Sequence, residues 1–177
     1  MQNMLKSVRD YLSGFGKVDD RVIEAMSKVN RKNFMPEGLK EKAYLDAAMP
    51  IGYGQTISQP STVARMLSLL ELKEGDRVLE IGTGSGWNAV LISCLIGKGK
   101  VISLEKYDEL IEQAGERIKE LKIENIKIAK KDFRNLKDRF DKIIFTAGIS
   151  SGQEQSAKPP SCRIIFRMAR LLFVLTA

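Results

Sequence analysis

The chain contains no histidine among its 177 residues. Imidazole activates serine and cysteine nucleophiles, moves protons near neutral pH and ligates transition metals, so its absence excludes His-activated hydrolases and His-ligated metal sites together. Cysteine is almost missing as well. Cys94 and Cys162 are the only two, and their separation rules out a C-x-x-C pair, so no metal site is expected and a reduced, cytoplasmic setting is. No apolar run reaches the ~18 residues of a membrane helix. The most apolar segment, 164–177, is interrupted by Arg167 and Arg170, so no membrane span is expected. Basic blocks are also lacking. The formal net charge is +7, yet the lysines are mixed with glutamates, as from Lys106 to Lys131, without interleaved aromatics, which argues against a nucleic-acid surface. Nothing in the pattern demands more than a monomer.

What remains is ordinary for a globular protein: 44% hydrophobic and 29% charged residues, enough to bury one core without staples. A single domain over 1–177 is expected, with N-terminal helices and a loop in 1–60, an α/β core in 61–149 and an atypical tail in 150–177. Residues 2–13 read as a helix ending at Gly14. Asp19 or Asp20 caps a second helix, with Val22, Ala25, Met26 and Val29 on one face. A helix-poor, Pro- and Gly-bearing stretch follows from Asn33 to Pro60. An amphipathic helix then runs to Leu72, with Val63, Met66, Leu67 and Leu70 buried. From Asp76 the pattern alternates. Strand-like Val78–Ile81, Val101–Leu104, Ile126–Ala129 and Phe140–Thr146 are separated by helix-like Trp87–Ile96 and by Asp108–Lys122, whose inward face is Leu110, Ile111, Ala114, Ile118 and Leu121. Such alternation predicts a doubly wound, mostly parallel α/β sheet covered on both faces, with its ligand at the carboxyl ends of the strands.

At the first of those ends the sequence reads Glu80-Ile-Gly-Thr-Gly-Ser-Gly-Trp87. Gly82, Gly84 and Gly86 are spaced G-x-G-x-G, not the G-x-G-x-x-G of a dinucleotide fingerprint. Glycine at these places lets backbone approach a ligand with no side chain between. Glu80, just before the turn, would repel a pyrophosphate and better suits a positive charge or hydroxyl donors. Glu105 ends the second strand, where an acid accepts ribose hydroxyls. Asp132 ends the third and can accept from an adenine amino group or cap a turn. Phe133 beside it either stacks on a base or covers the core. Trp87 reads as a packing residue. Together these residues describe a pocket for an adenosine-bearing ligand without phosphate.

This set resembles the class I, Rossmann-like methyltransferases that use S-adenosyl-L-methionine. In that family the glycine pattern Glu80–Gly86, with Thr83 and Ser85 inside it, wraps the methionine part and the Glu105 position holds the ribose. The upstream loop Gly54-Gln-Thr-Ile-Ser-Gln-Pro60 narrows the resemblance. With Arg31-Lys-Asn-Phe-Met-Pro36, Tyr44-Leu-Asp-Ala47 and Phe140-Asp-Lys-Ile-Ile-Phe-Thr-Ala147, it is similar to the protein-L-isoaspartate O-methyltransferases from Val22 through Thr146. The resemblance implies methylation of isoaspartyl carboxylates in damaged proteins and peptides. It implies Ser58 as the catalytic residue, orienting the carboxylate, with Gln55, Thr56 and Ile57 lining the same site. The alternatives are a class I methyltransferase acting on another substrate such as RNA, and a cofactor-binding module without activity.

The resemblance stops after Ile149. Ser150–Arg163 has loop composition, and Ile164–Ala177 is apolar without the turn that the family places there. One expectation is a shifted reading frame or truncation that leaves the C-terminal strands incomplete. The other is that Ile164–Phe166 and Leu171–Val174 form replacement strands.

Overall fold

The computed structural model describes residues 1–16, 19–131, 136, 138–147, 163–167 and 172–176, the last two segments through their backbone. Helix α1 (Gln2–Ser13) buries Met4, Val8 and Leu12, one residue per turn. Helix α2 (Asp20–Lys28) starts at Asp19, whose carboxylate accepts from the Arg21 amide. It buries Val22, Ile23, Ala25 and Met26. The helix-poor stretch is shaped by two 3-10 segments, Arg31–Phe34 and Glu37–Lys42. A two-stranded antiparallel hairpin follows, β1 (Met49–Gly52) with β2 (Gln55–Ile57). Its tip, Tyr53 and Gly54, has φ of 53° and 68°, the left-handed pair that tight hairpins need. Helix α3 (Pro60–Leu70) opens on a proline whose missing N–H costs nothing in the first turn.

The main sheet contains β3 (Arg77–Ile81), β4 (Lys100–Leu104), β5 (Ile126–Ala129), β6 (Lys142–Phe145), β7 (Arg163–Arg167) and β8 (Leu172–Thr176). Its order is β5-β4-β3-β6-β8-β7. Strands β3 to β6 are parallel, and β8 joins β6 antiparallel, with β7 antiparallel to β8. The tail therefore carries strands close to the expected replacement pair. Helix α4 (Trp87–Ile96) links β3 to β4, and α5 (Asp108–Glu120) links β4 to β5. Because α4 lies between the sheet and α2, it is apolar nearly all round, exposing only the Cys94 side.

The pleat of the parallel strands separates two apolar clusters. Val78, Val101 and Ile144 join the helices in the larger one, and Leu79, Leu104, Ile143 and Phe145 join Phe140 in the smaller. Three expected details shift. Helix α3 ends at Leu70 rather than Leu72, because Glu71 turns left-handed with φ 48°. Helix α5 ends at Glu120, which leaves Leu121 39% exposed instead of inward. The last parallel strand spans Lys142–Phe145, shorter than Phe140–Thr146. The loop expected over Ser150–Arg163 lies outside the described residues up to 162, and its last residue, Arg163, instead opens β7.

Candidate functional site

Strand order reverses beside β3: the chain moves out through β4 and β5, then returns to pair β6 against the other edge of β3. A crevice opens at the carboxyl ends of such neighbours, and the glycine turn sits there. Gly82, Gly84 and Gly86 all have positive φ, at 106°, 52° and 86°. Their roles differ. The Gly82 and Thr83 amides donate to the Leu104 carbonyl at 2.8 and 3.1 Å. A Cβ on Gly82 would stand 2.7 Å from the Ala147 nitrogen and 2.9 Å from Thr146 Oγ1. Gly86 lets α5 come close, since its added Cβ would meet Ala114 Cβ at 3.2 Å. At Gly84, among the described residues, the nearest atom would be Ile51 Cδ1 at 3.5 Å. The turn is thus braced at both ends and open in the middle.

Its side chains point inward. Thr83 and Ser85 are 4% and 5% exposed. Thr83 Oγ1 lies 2.6 Å from Ser103 Oγ, and Ser85 Oγ accepts from the Trp87 amide at 3.3 Å. The Ser85 carbonyl accepts from Arg117 Nη1 at 3.3 Å. Glu80 is wholly buried beneath the turn, 0% exposed. Asn88 Nδ2 donates to its Oε1 at 2.7 Å, and the Ser103 hydroxyl donates to Oε2. Burial in this low-dielectric position raises its pKa from 4.5 to about 7, against the pull of those two hydrogen bonds. Glu105 is also buried, at 9% exposed, and holds the turn through hydrogen bonds of its own. Its Oε2 accepts from the Gly84 amide at 2.9 Å, and its Oε1 from the Lys106 and Tyr107 amides at 2.8 and 3.3 Å.

The β1–β2 hairpin closes over the turn. Ile51 faces Gly84, and the Tyr53 ring stacks on Tyr107, just past Glu105, with centroids 5.6 Å apart. From the hairpin the chain runs through Gln55, Thr56, Ile57 and Ser58. Gln55 is half-buried and its Nε2 donates to the Tyr53 carbonyl at 3.3 Å. Thr56 is exposed. Ile57 is 2% exposed and belongs to the core, so only its backbone can line a site. Ser58 is half-buried, and its hydroxyl forms no hydrogen bond among the described residues. Asp132 and Phe133 lie outside the described residues. Trp87 is 1% exposed, the packing residue that its position implies.

Sequence reasoning misses two residues here, Arg31 and Arg117. Arg31 is 0% exposed, and its guanidinium donates to carbonyls of the connector before β1 and to that of Ser58. A long helix-poor stretch needs donors for its carbonyls, and that need, with the place of Arg31 at the head of the Arg31–Pro36 stretch, is the signal that could have found it. Among the described residues no three side chains could hold a metal ion, and no helix is long and apolar enough to cross a membrane.

Residues 2–151 match the protein-L-isoaspartate(D-aspartate) O-methyltransferase family. A protein-L-isoaspartate O-methyltransferase from Fervidobacterium nodosum is 50% identical over 141 residues, covering 77% of this chain and 70% of that relative. A solved protein-L-isoaspartate O-methyltransferase superposes with a TM-score of 0.73 at 29% identity, over 84% of this chain and 48% of that one. This chain therefore spans about half of that structure. A putative Plasmodium falciparum protein-L-isoaspartate O-methyltransferase, solved with S-adenosyl-L-homocysteine, gives a TM-score of 0.71 at 27% identity, over 98% of this chain and 86% of that one.

Proposed function

Because the chain belongs to the protein-L-isoaspartate O-methyltransferase family, whose members depend on S-adenosyl-L-methionine, we propose that it methylates the free carboxylate of L-isoaspartyl residues in damaged proteins. The observation that carries this reading is the β1–β2 hairpin, whose Ile51 faces Gly84 and whose second strand leads directly into Ser58. Among the described residues only Ile51 comes near the space above Gly84, and the Ser58 hydroxyl, which has no hydrogen bond among them, follows directly from the hairpin.

The residues fit the cofactor. Gly84 offers backbone without a side chain in its approach, and Glu105 uses three acceptor positions on amides, leaving capacity for a hydroxyl. Glu80, Thr83 and Ser85 act from beneath, by fixing the shape of the turn. Gln55, Thr56 and the Ile57 backbone would hold the methionine part, and the sequence pattern assigns Asp132 and Phe133 to the adenine. When bound, S-adenosyl-L-methionine supplies a methyl group already activated on a sulfonium. An isoaspartyl carboxylate is ionised at neutral pH, so the protein needs no base, in keeping with a chain that has no histidine. The task of Ser58 is orientation: its hydroxyl donates to one carboxylate oxygen and aims the other, and the hairpin excludes water. The chain works as one domain and a monomer, and the free Cys94 thiol supports a cytoplasmic setting.

The test is incubation with labelled S-adenosyl-L-methionine and an isoaspartyl peptide beside its normal aspartyl twin. Label on the isoaspartyl peptide alone is expected. Transfer to RNA instead, or cofactor binding with no transfer to either peptide, overturns the reading.

A further inference from the structure

Arg31 holds a position that neither the cofactor nor the acceptor chemistry explains. It is fully buried, and burial lowers its pKa to about 10, so it remains a cation at neutral pH. Desolvating a guanidinium is unfavourable unless its donors are satisfied. No carboxylate forms an ion pair with it among the described residues. Instead Nη1 donates to the Ala43 carbonyl at 2.7 Å and Nη2 to the Ala47 and Ser58 carbonyls at 3.0 and 3.1 Å, while Nε alone of its nitrogens has no partner among the described residues. Its Cζ lies 5.2 Å from the centroid of the Trp87 ring, the residue that follows the last glycine of the turn. One planar group thus touches the connector, the acceptor loop and the start of α4.

A neighbouring carboxylate holds the same loop from its other side. Asp46 Oδ1 accepts from the Ser61 amide at 2.8 Å, and Oδ2 from Gln59 Nε2 at 3.3 Å. The segment from Ser58 to Ser61 is pinned by its carbonyl at one end and by its amide at the other. The α2–α4 contact beside it is apolar and needs no charge of its own.

We propose that Arg31 is a positioning residue for Ser58, fixing the acceptor loop against the helix that carries the glycine turn. Lysine keeps the charge but loses the planar fork that spans several carbonyls. Its kinetic consequence rests on the methyl-transfer reading, whereas the anchoring itself does not.

The experiment uses Arg31→Lys, with Arg31→Met as a second variant, in the full chain. Amide hydrogen exchange is expected to quicken about tenfold or more over Gln55–Ser61 while β3 and β4 stay within about twofold. Unchanged exchange at 55–61, or equal quickening throughout the sheet, overturns the proposal. On an isoaspartyl peptide, kcat should fall about tenfold, with the dissociation constant for S-adenosyl-L-methionine within about threefold of the parent. Adding Arg31→Lys to Ser58→Ala should lower kcat little beyond Ser58→Ala alone, and multiplicative losses overturn the link. Should the unaltered chain transfer no methyl group, the functional reading fails, and the exchange data still decide whether Arg31 anchors the loop.

Discussion

The glycines of the turn look equivalent in sequence, and their surroundings make them unlike. Gly82 is pressed against the end of β6, where an added Cβ would meet backbone at 2.7 Å with φ at 106°. Gly82→Ala should therefore lower unfolding free energy by about 2–4 kcal/mol, read as a fall in the urea midpoint; an unchanged midpoint contradicts the packing. The sequence reading treats all three as a ligand approach, but only Gly84 of them has open space among the described residues, whereas Gly82 and Gly86 serve packing. Glu80 shows the opposite limit of legibility. Its type and place before the turn are evident in the sequence, but its depth is not, because depth depends on Asn88 and Ser103 arriving from two other elements. The consequence is a pH dependence. Between 4.5 and about 7 the folded state keeps a proton that the unfolded chain has released, so stability falls as pH rises through about 7. Glu80→Gln removes the ionisable group. The stability of the variant relative to the parent should thus rise from pH 5 to pH 8, by about 3 kcal/mol at most. A difference that stays flat across that range, in urea unfolding at each pH, speaks against the buried acid.

Among elements, the regular ones were readable. Helix α4 begins at Trp87 and ends at Ile96, and β5 covers Ile126–Ala129, as their apolar runs and flanking glycines indicate. Val63, Met66, Leu67 and Leu70 are all buried in α3, because a period near 3.6 survives any tertiary context that keeps one face inward. The hairpin was not readable. Its strands are four and three residues long, too short to show alternation, and its tip is Tyr53-Gly54 instead of the Asn-Gly or Asp-Gly that announces such turns. The 3-10 segments have no period to detect. Ile51 and Ile57 anchor the hairpin in the core, but its tip is open, with Tyr53 46% exposed while it stacks on Tyr107. Tyr107→Ala should leave global stability within about 1 kcal/mol yet speed chymotryptic cleavage after Tyr53 roughly threefold. Equal cleavage rates would show that the stack does not hold the tip.

Over the whole molecule, the ion pairs among the described residues contribute little to stability. The pairs Arg9–Asp20, Lys28–Glu24, Lys32–Glu41, Lys40–Glu37, Arg77–Asp138 and Lys130–Asp108 each have a side chain at least 51% exposed, and exposed pairs are worth about 0–1 kcal/mol. Raising salt from ~0.05 to ~0.5 M, which shrinks the Debye length from roughly 14 to 4 Å, should therefore move the melting temperature by only about 3 °C or less. A larger fall would mean that the surface network carries the fold. The sheet order has a different consequence, one of timing. Strand β3 receives β4 almost at once during synthesis, but its other edge must wait for β6, whose Thr146 end meets Ile81 across 65 positions of sequence. At ~5–20 residues per second, that edge stays open on the ribosome for several seconds. During that interval the nascent chain offers an unpaired apolar strand to any chaperone, or to any neighbouring nascent chain, before its own partner has been made.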